Sequence, residues 1–382
     1  MAQSPGATVA AWLGRIPAAD RLAADAYTHE RLVAWLLGGL LIAAIALFAQ
    51  RLGLLARLRD AVQHQGPRPW LAGAVCAGAF TLAVVLAKAP FDAVFGWRGD
   101  RLLHGAAAFA PRLKDAFASG MTLLLPVVVL APLLQALMRR LPRTWWAWSG
   151  GAAAALILAF GWLPYALAPG QGGAPLEPGP MRDGLMRLVH DAGVPAHQIY
   201  LSPGGPLDTD VAGAFGRARV TVSRDFVRTS SPAEARAFVG HLAGHYAHGD
   251  LLSIQLVQAA VVVAGLLAIQ LLFGPVARLM GGPRLTGPAD PAAAPVVAVI
   301  VLLTVALGTP ARGAFIQWVN VGADQFALDH SREADGLASF LIRDWDHMSV
   351  EPRPLERAVF YTHPPLADRM RHIAAWKAAH GA

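Results

Sequence analysis

The stretch FVGHLAGHYAHGD, Phe238–Asp250, decides how the whole chain is read. On a helix, His241 and His245 lie one turn apart on one face, the geometry that lets two imidazoles share a tetrahedral ion. The spacing alone is weak, because 13 histidines in 382 residues supply about 0.4 such pairs by chance. His248 continues the face, but it sits roughly 10 Å along the axis from His241 and reads as a polar residue near the helix end. Just upstream, Ser231 precedes Pro232 at the first helical position and Glu234 three residues on, the capping-box signature. Both histidines therefore sit inside a helix with a marked start. Its end runs almost directly into an apolar run, so the pair is expected near a membrane surface.

Composition supports that placement. The chain is 55% hydrophobic and only 15% charged, too apolar for an ordinary soluble protein. Four apolar segments precede the motif, roughly 32–49, 70–89, 121–138 and 145–167, and two follow it, roughly 251–277 and 295–318. The chain is thus expected to be a multi-pass integral membrane protein, in the inner or plasma membrane if bacterial. A polar, mixed-charge stretch with Asp20, Arg21, Asp25, Glu30 and Arg31 precedes the first run, which therefore reads as a retained helix. Trp70, Trp97, Trp145, Trp146, Trp162 and Trp318 suit interfacial anchors. The net charge of +7 is spread over loops beside spans, which points to lipid headgroups and not to nucleic acid. The single Cys76 rules out an intramolecular disulfide.

Between the fourth and fifth runs lies a polar unit, set off by the break PGQGGAPLEPGP, Pro169–Pro180. MRDGLMRLVHDAG places Met181, Leu185, Leu188 and Val189 on one helical face, with Gly193 ending it. HQIYLS and RARVTVSRDFV read as strands, linked by the glycine-rich PGGPLDTDVAGAFG. The expected organisation is a membrane region over 1–168, a first part of a folded domain over 169–250, two spans over 251–318, and the rest of the domain over 319–382.

Read in order, the pieces GAPLEPGPMRDGLMRLVHDAGVPAHQIYLS, VAGAFGRARVTVS, AFVGHLAGHYAHGD, two apolar helices, NVGADQFALD and FYTHPPLADRM resemble one family. It is that of the membrane zinc endopeptidases of the type I CAAX prenyl protease group and their bacterial heat-shock relatives. Members carry His-Glu-x-x-His before a pair of membrane helices, Glu-x-x-Ala-Asp after them, and His-Pro-Pro near the C-terminus. The resemblance covers roughly Pro164–Met370. It implies a mostly helical polytopic bundle bearing a gluzincin-like α+β peptidase domain at the membrane surface.

Carried over residue by residue, the resemblance makes His241 and His245 zinc ligands and Asp324 the support of a ligating histidine. It makes His363 the group that steadies the oxyanion and Arg369 its cleft-lining companion. The edge strand along which substrates add would come from Val211, Ala212, Gly213, Ala214 and Phe215. Two positions depart from the pattern. The general-base glutamate falls on Leu242, and the third ligand falls on Asn320, a neutral and poorer donor. Glu333, in READGLA, cannot replace Asn320 if Asn320–Phe340 is one helix, since it then lies roughly 20 Å along the axis on the far face. Asp324 could supply a carboxylate only by giving up a histidine. Asp250 and Asp329 read as solvated helix-end residues.

These departures predict a peptidase homologue with impaired hydrolysis, a pseudo-protease whose cleft still binds a membrane or lipid-modified polypeptide, with zinc occupancy left open. Two alternatives stay open: an active zinc endopeptidase with an unconventional base, and a membrane scaffold or transporter with incidental histidines. Membrane orientation is also open. Arg51, Arg57, Arg59 and Arg68, then Arg139, Arg140 and Arg143, favour a cytoplasmic face opposite the motif, whereas the resemblance implies a cytoplasm-facing site. A further span or a re-entrant segment between Phe91 and Lys114 would reconcile the two.

Overall fold

The computed structural model describes residues 4–105, 107–168, 173–202 and 208–381. Part of the expected break at Pro169–Pro180 and part of the glycine-rich linker, residues 169–172 and 203–207, lie outside the described residues. Among the described residues six helices are long and apolar enough to cross a bilayer: Ala18–Arg51, Pro69–His104, Phe109–Arg140, Trp145–Leu167, Asp250–Met280 and Pro291–Ser331. Five of them overrun the expected apolar runs at both ends, and the fourth coincides with its run. The expected further span between Phe91 and Lys114 is not among them, because that stretch is the end of the second span and the start of the third.

The chain divides into two compact units. One comprises Met1–Asp25, Leu156–Gln258 and Ala311–Ala382; the other comprises Ala26–Ala155 and Ala259–Pro310. The sequence reading assigns 1–168 to the membrane region, whereas by contact the first 25 residues group with the polar domain. Their anchor is Trp12, in helix Pro5–Leu13, which is buried in the same apolar core as Leu185, Phe226 and Met370.

The membrane unit has a core of Cys76, Phe80, Trp145, Phe273 and Ile300. Trp145 departs from the expected interfacial role. It is fully buried, and its indole N–H donates to Gln270, as a buried tryptophan requires. Trp70 and Trp318 are largely exposed, as anchors would be. Asp290, almost fully buried, accepts from Arg59 at 2.8 Å and from the backbone of Thr286 and Ala292.

The polar unit is built on a four-stranded sheet ordered β1-β2-β4-β3, with β1 Ala174–Pro175, β2 Ile199–Ser202, β3 Asp210–Ala212 and β4 Arg219–Ser223. β2 and β4 are parallel; β3 and β4 are antiparallel. Helix Pro180–Asp191 buries Leu185, Leu188 and Val189 against the sheet's core, the face the sequence marks. The expected strand RARVTVSRDFV stops at Ser223. That serine's hydroxyl accepts from the Phe226 N–H at 3.0 Å and starts the short helix Arg224–Thr229.

The motif helix runs Pro232–His248 and begins with the predicted capping box, closed by Ser231 and Glu234 in both directions. Glu234 also accepts from Ser339 and Arg343, which ties the helix start to helix Ala334–Arg343. Gly240 and Gly244, one turn apart, face the sixth span. A Cβ on Gly244 would stand 3.0 Å from both Ala323 Cα and Phe326 Cβ, and one on Gly240 3.2 Å from Ala327 Cα. Missing side chains thus let the two backbones approach, as small residues do at helix crossings.

Candidate metal centre and cleft

That close approach sets the chemistry of the motif helix. His241, buried, places Nδ1 2.8 Å from Asp324 Oδ1 on the sixth span. Asp324 is gripped from its other side by Arg369, whose Nε and Nη2 donate to its two oxygens at 2.7 and 2.6 Å. The expected support of a histidine by Asp324 is therefore the geometry found. Arg369 meets the site through that carboxylate, in a two-pronged ion pair. Burial, before any other influence, pulls the His241 pKa down to about 4 in spite of Asp324. The imidazole is neutral at pH 7, the form that ligates metals.

His245 has a matching partner that the sequence reading missed. Asp250, expected to be solvated, is buried, and its Oδ2 lies 2.8 Å from His245 Nδ1. The cause is the turn between two helices. Gly249 adopts φ +66°, where a side chain is strained, and so folds the first residue of the fifth span back onto the preceding helix. The negative charge at that helix start is itself favourable.

Carboxylates only accept, so Asp324 and Asp250 each select the imidazole tautomer with its proton on Nδ1. The two Nε2 atoms then turn their lone pairs towards each other at 3.1 Å. Two nitrogens bound to one tetrahedral zinc stand about 3.3 Å apart, given bonds of 2.0–2.1 Å. A cation between them relieves the repulsion of the lone pairs, so the imidazole pair fits zinc on two sides.

The remaining positions fit it less well. Asn320 is buried on the sixth span, and its Nδ2 donates to Ile316 O at 2.9 Å and Thr362 O at 3.4 Å. Its Oδ1 is buried without a hydrogen-bond partner among the described residues, a lone-pair-bearing amide oxygen still able to coordinate a metal. Among the described residues no cluster of three His, Cys, Asp or Glu side chains converges as a metal cage. Leu242 packs against the apolar core. The sixth span ends at Ser331 and a new helix begins at Ala334, so the break that Glu333 would need does exist. Glu333 is nonetheless committed elsewhere, to Arg236 with Nε at 3.1 Å.

His363 opens onto a cavity of about 380 Å³ that it shares with His241, Arg369, Phe238, Phe340 and Trp345. Desolvation, then the Arg369 charge, lowers its pKa from the ordinary histidine value. A second cavity, about 600 Å³, is lined by His245, Tyr165, Trp162, Ala214 and Phe215. Of the expected substrate strand, Val211 and Ala212 lie in β3 at the sheet edge, Gly213 and Ala214 follow it in irregular conformation, and Phe215 stands in the hairpin turn. Asp210, beside them, was not singled out by the sequence. Burial raises its pKa, against the opposing effect of the Val211 N–H bond.

The model of Peptidase family M48 matches residues 179–377. Among solved structures, the crystal structure of Ste24p from S. mikatae is similar at a TM-score of 0.51 and 15% identity. That likeness covers 88% of this chain and 99% of that one. No curated protein sequence matches the chain.

Proposed function

The chain belongs to peptidase family M48, and from that premise we propose that it is a multi-pass membrane homologue with impaired hydrolysis whose cleft holds a polypeptide. The observation that carries this reading is Leu242, packed against the apolar core at the position of the family's general base. A zinc ion held by His241 and His245, with the Asn320 amide oxygen as a weak third donor, would supply Lewis-acid chemistry to a peptide carbonyl. The chain's own residues do not complete that chemistry. Leucine accepts no proton, and a missing general base costs about 100-fold to 10,000-fold in rate.

Substitute acids are already engaged. Asp324 is held between His241 and Arg369, Asp250 holds His245, and Glu333 pairs with Arg236. Retained cleft features support binding: His363 beside an apolar cavity, and an edge strand next to the motif helix.

The test compares the wild type with the double variant Leu242→Glu, Asn320→Glu, measuring zinc content and cleavage of casein. The double variant is expected to bind zinc more tightly and to cleave, while the wild type does not cleave. Wild-type cleavage that a chelator abolishes and zinc restores overturns the reading.

A further inference from the structure

Antiparallel pairing alternates residues whose N–H and C=O bond across the ladder with residues whose groups point away from it. In β3, Val211 stands opposite Val220 of β4. Val211 is of the second kind: its N–H donates to the Asp210 carboxylate at 2.8 Å, and its C=O accepts from the Tyr165 hydroxyl at 2.7 Å. Since β3 is the last strand of the sheet, Val211 is where an added strand would form its pair of main-chain bonds. Side chains already occupy both.

We propose that Tyr165 is a latch on the β3 edge. An extended polypeptide adds to β3 by taking the Val211 C=O from the Tyr165 hydroxyl and the Val211 N–H from Asp210. The proposal rests on the polypeptide-binding reading above and specifies how access to that edge is controlled.

Three further features converge on the same place. Tyr165 lies in helix Leu163–Leu167, directly after a π-helical turn, Leu158–Trp162. Such turns interrupt the regular ladder and recur at functional sites. The same segment touches the β3–β4 hairpin a second time, where Trp162 meets the ring of Phe215 edge-on at 5.8 Å. Phe215 is 88% exposed at φ +56°, a conformation that favours glycine, so an aromatic stands where the backbone would choose otherwise. Beside these contacts lies the cavity of about 600 Å³ lined by Tyr165, Ala214, Phe215 and His245, within the size range of ligand pockets. A strand replacing Tyr165 would therefore have room beside His245.

The test uses the full-length protein in nanodiscs and fluorescein-labelled β-casein, an unfolded polypeptide, with binding read by fluorescence anisotropy. Tyr165→Phe removes only the competing hydroxyl and is expected to tighten binding about fivefold, the worth of one net hydrogen bond. Tyr27→Phe is the control: that residue lies in the first span and lines neither of the two cavities described above, and affinity should not change. Equal affinity of the wild type and Tyr165→Phe overturns the latch while the polypeptide reading stands. Weaker binding by Tyr165→Phe also overturns it, since the hydroxyl would then hold the polypeptide. Absence of binding in both overturns the polypeptide reading and the latch with it.

Discussion

At the residue scale the centre is two imidazoles, each steered by its own carboxylate. Losing the carboxylate on a metal-binding histidine typically costs 10- to 100-fold in metal affinity. Asp250→Ala is therefore expected to weaken zinc binding by about that factor. Asp250→Asn keeps an acceptor for the Nδ1–H of His245 and should recover most of the loss. Competition against a chromophoric chelator measures both; an Asp250→Ala protein with wild-type affinity would remove Asp250 from the centre. Leu242, Asn320, His241 and Asp324 were legible in the sequence because each is a fixed step from a recognisable spacing. Asp250 was not, because its role depends on a turn. Only the left-handed Gly249 returns the start of the next helix to His245, and a glycine before an aspartate reads equally well as a solvated helix end.

At the scale of elements, the motif helix owes its place to two separate devices. Its start is fixed by the Ser231–Glu234 box, and the sequence announced that. Its distance from the sixth span is fixed by Gly240 and Gly244, a role not legible beforehand, because a helical glycine ordinarily signals only weak propensity. Gly244→Val would force side-chain atoms against Ala323 and Phe326, and overpacking of this kind costs about 1–3 kcal/mol. The variant should unfold at lower temperature than the wild type and should also lose zinc affinity, because a displaced helix withdraws His241 from Asp324. Ser231→Ala offers the contrast, with about 1 kcal/mol lost from the cap and zinc affinity retained. If Gly244→Val loses stability but binds zinc as tightly as Ser231→Ala, the glycines serve packing alone. The strand RARVTVSRDFV was overread for a related reason: alternation continues past Ser223, but the serine hydroxyl captures the Phe226 N–H and turns the chain into a helix.

For the whole molecule, the number of spans explains how distant stretches of sequence build one domain. Four spans precede the motif helix, and two, the second of which carries Asn320 and Asp324 near its end, separate it from the His363 segment. Both numbers are even, so each excursion returns the chain to the membrane face it left. The polar unit is assembled from the pieces this rule brings together: the first 25 residues, the stretch after the fourth span, and the stretch after the sixth. Hydropathy alone gave the number of spans, since each run is long enough to cross. Where the spans end was not legible, because the helices carry polar flanks such as His104 and Arg140 beyond their apolar centres. The rule has a direct consequence in a background where the buried Cys76 is replaced by alanine. His190→Cys lies after the fourth span and His380→Cys after the sixth, and both positions are exposed. In sealed, oriented vesicles a membrane-impermeant maleimide should label both from the same side, and neither from the other. Labelling from opposite sides would mean that one of the two helices between them does not cross, and the cleft could not then be built from those segments on one face of the bilayer.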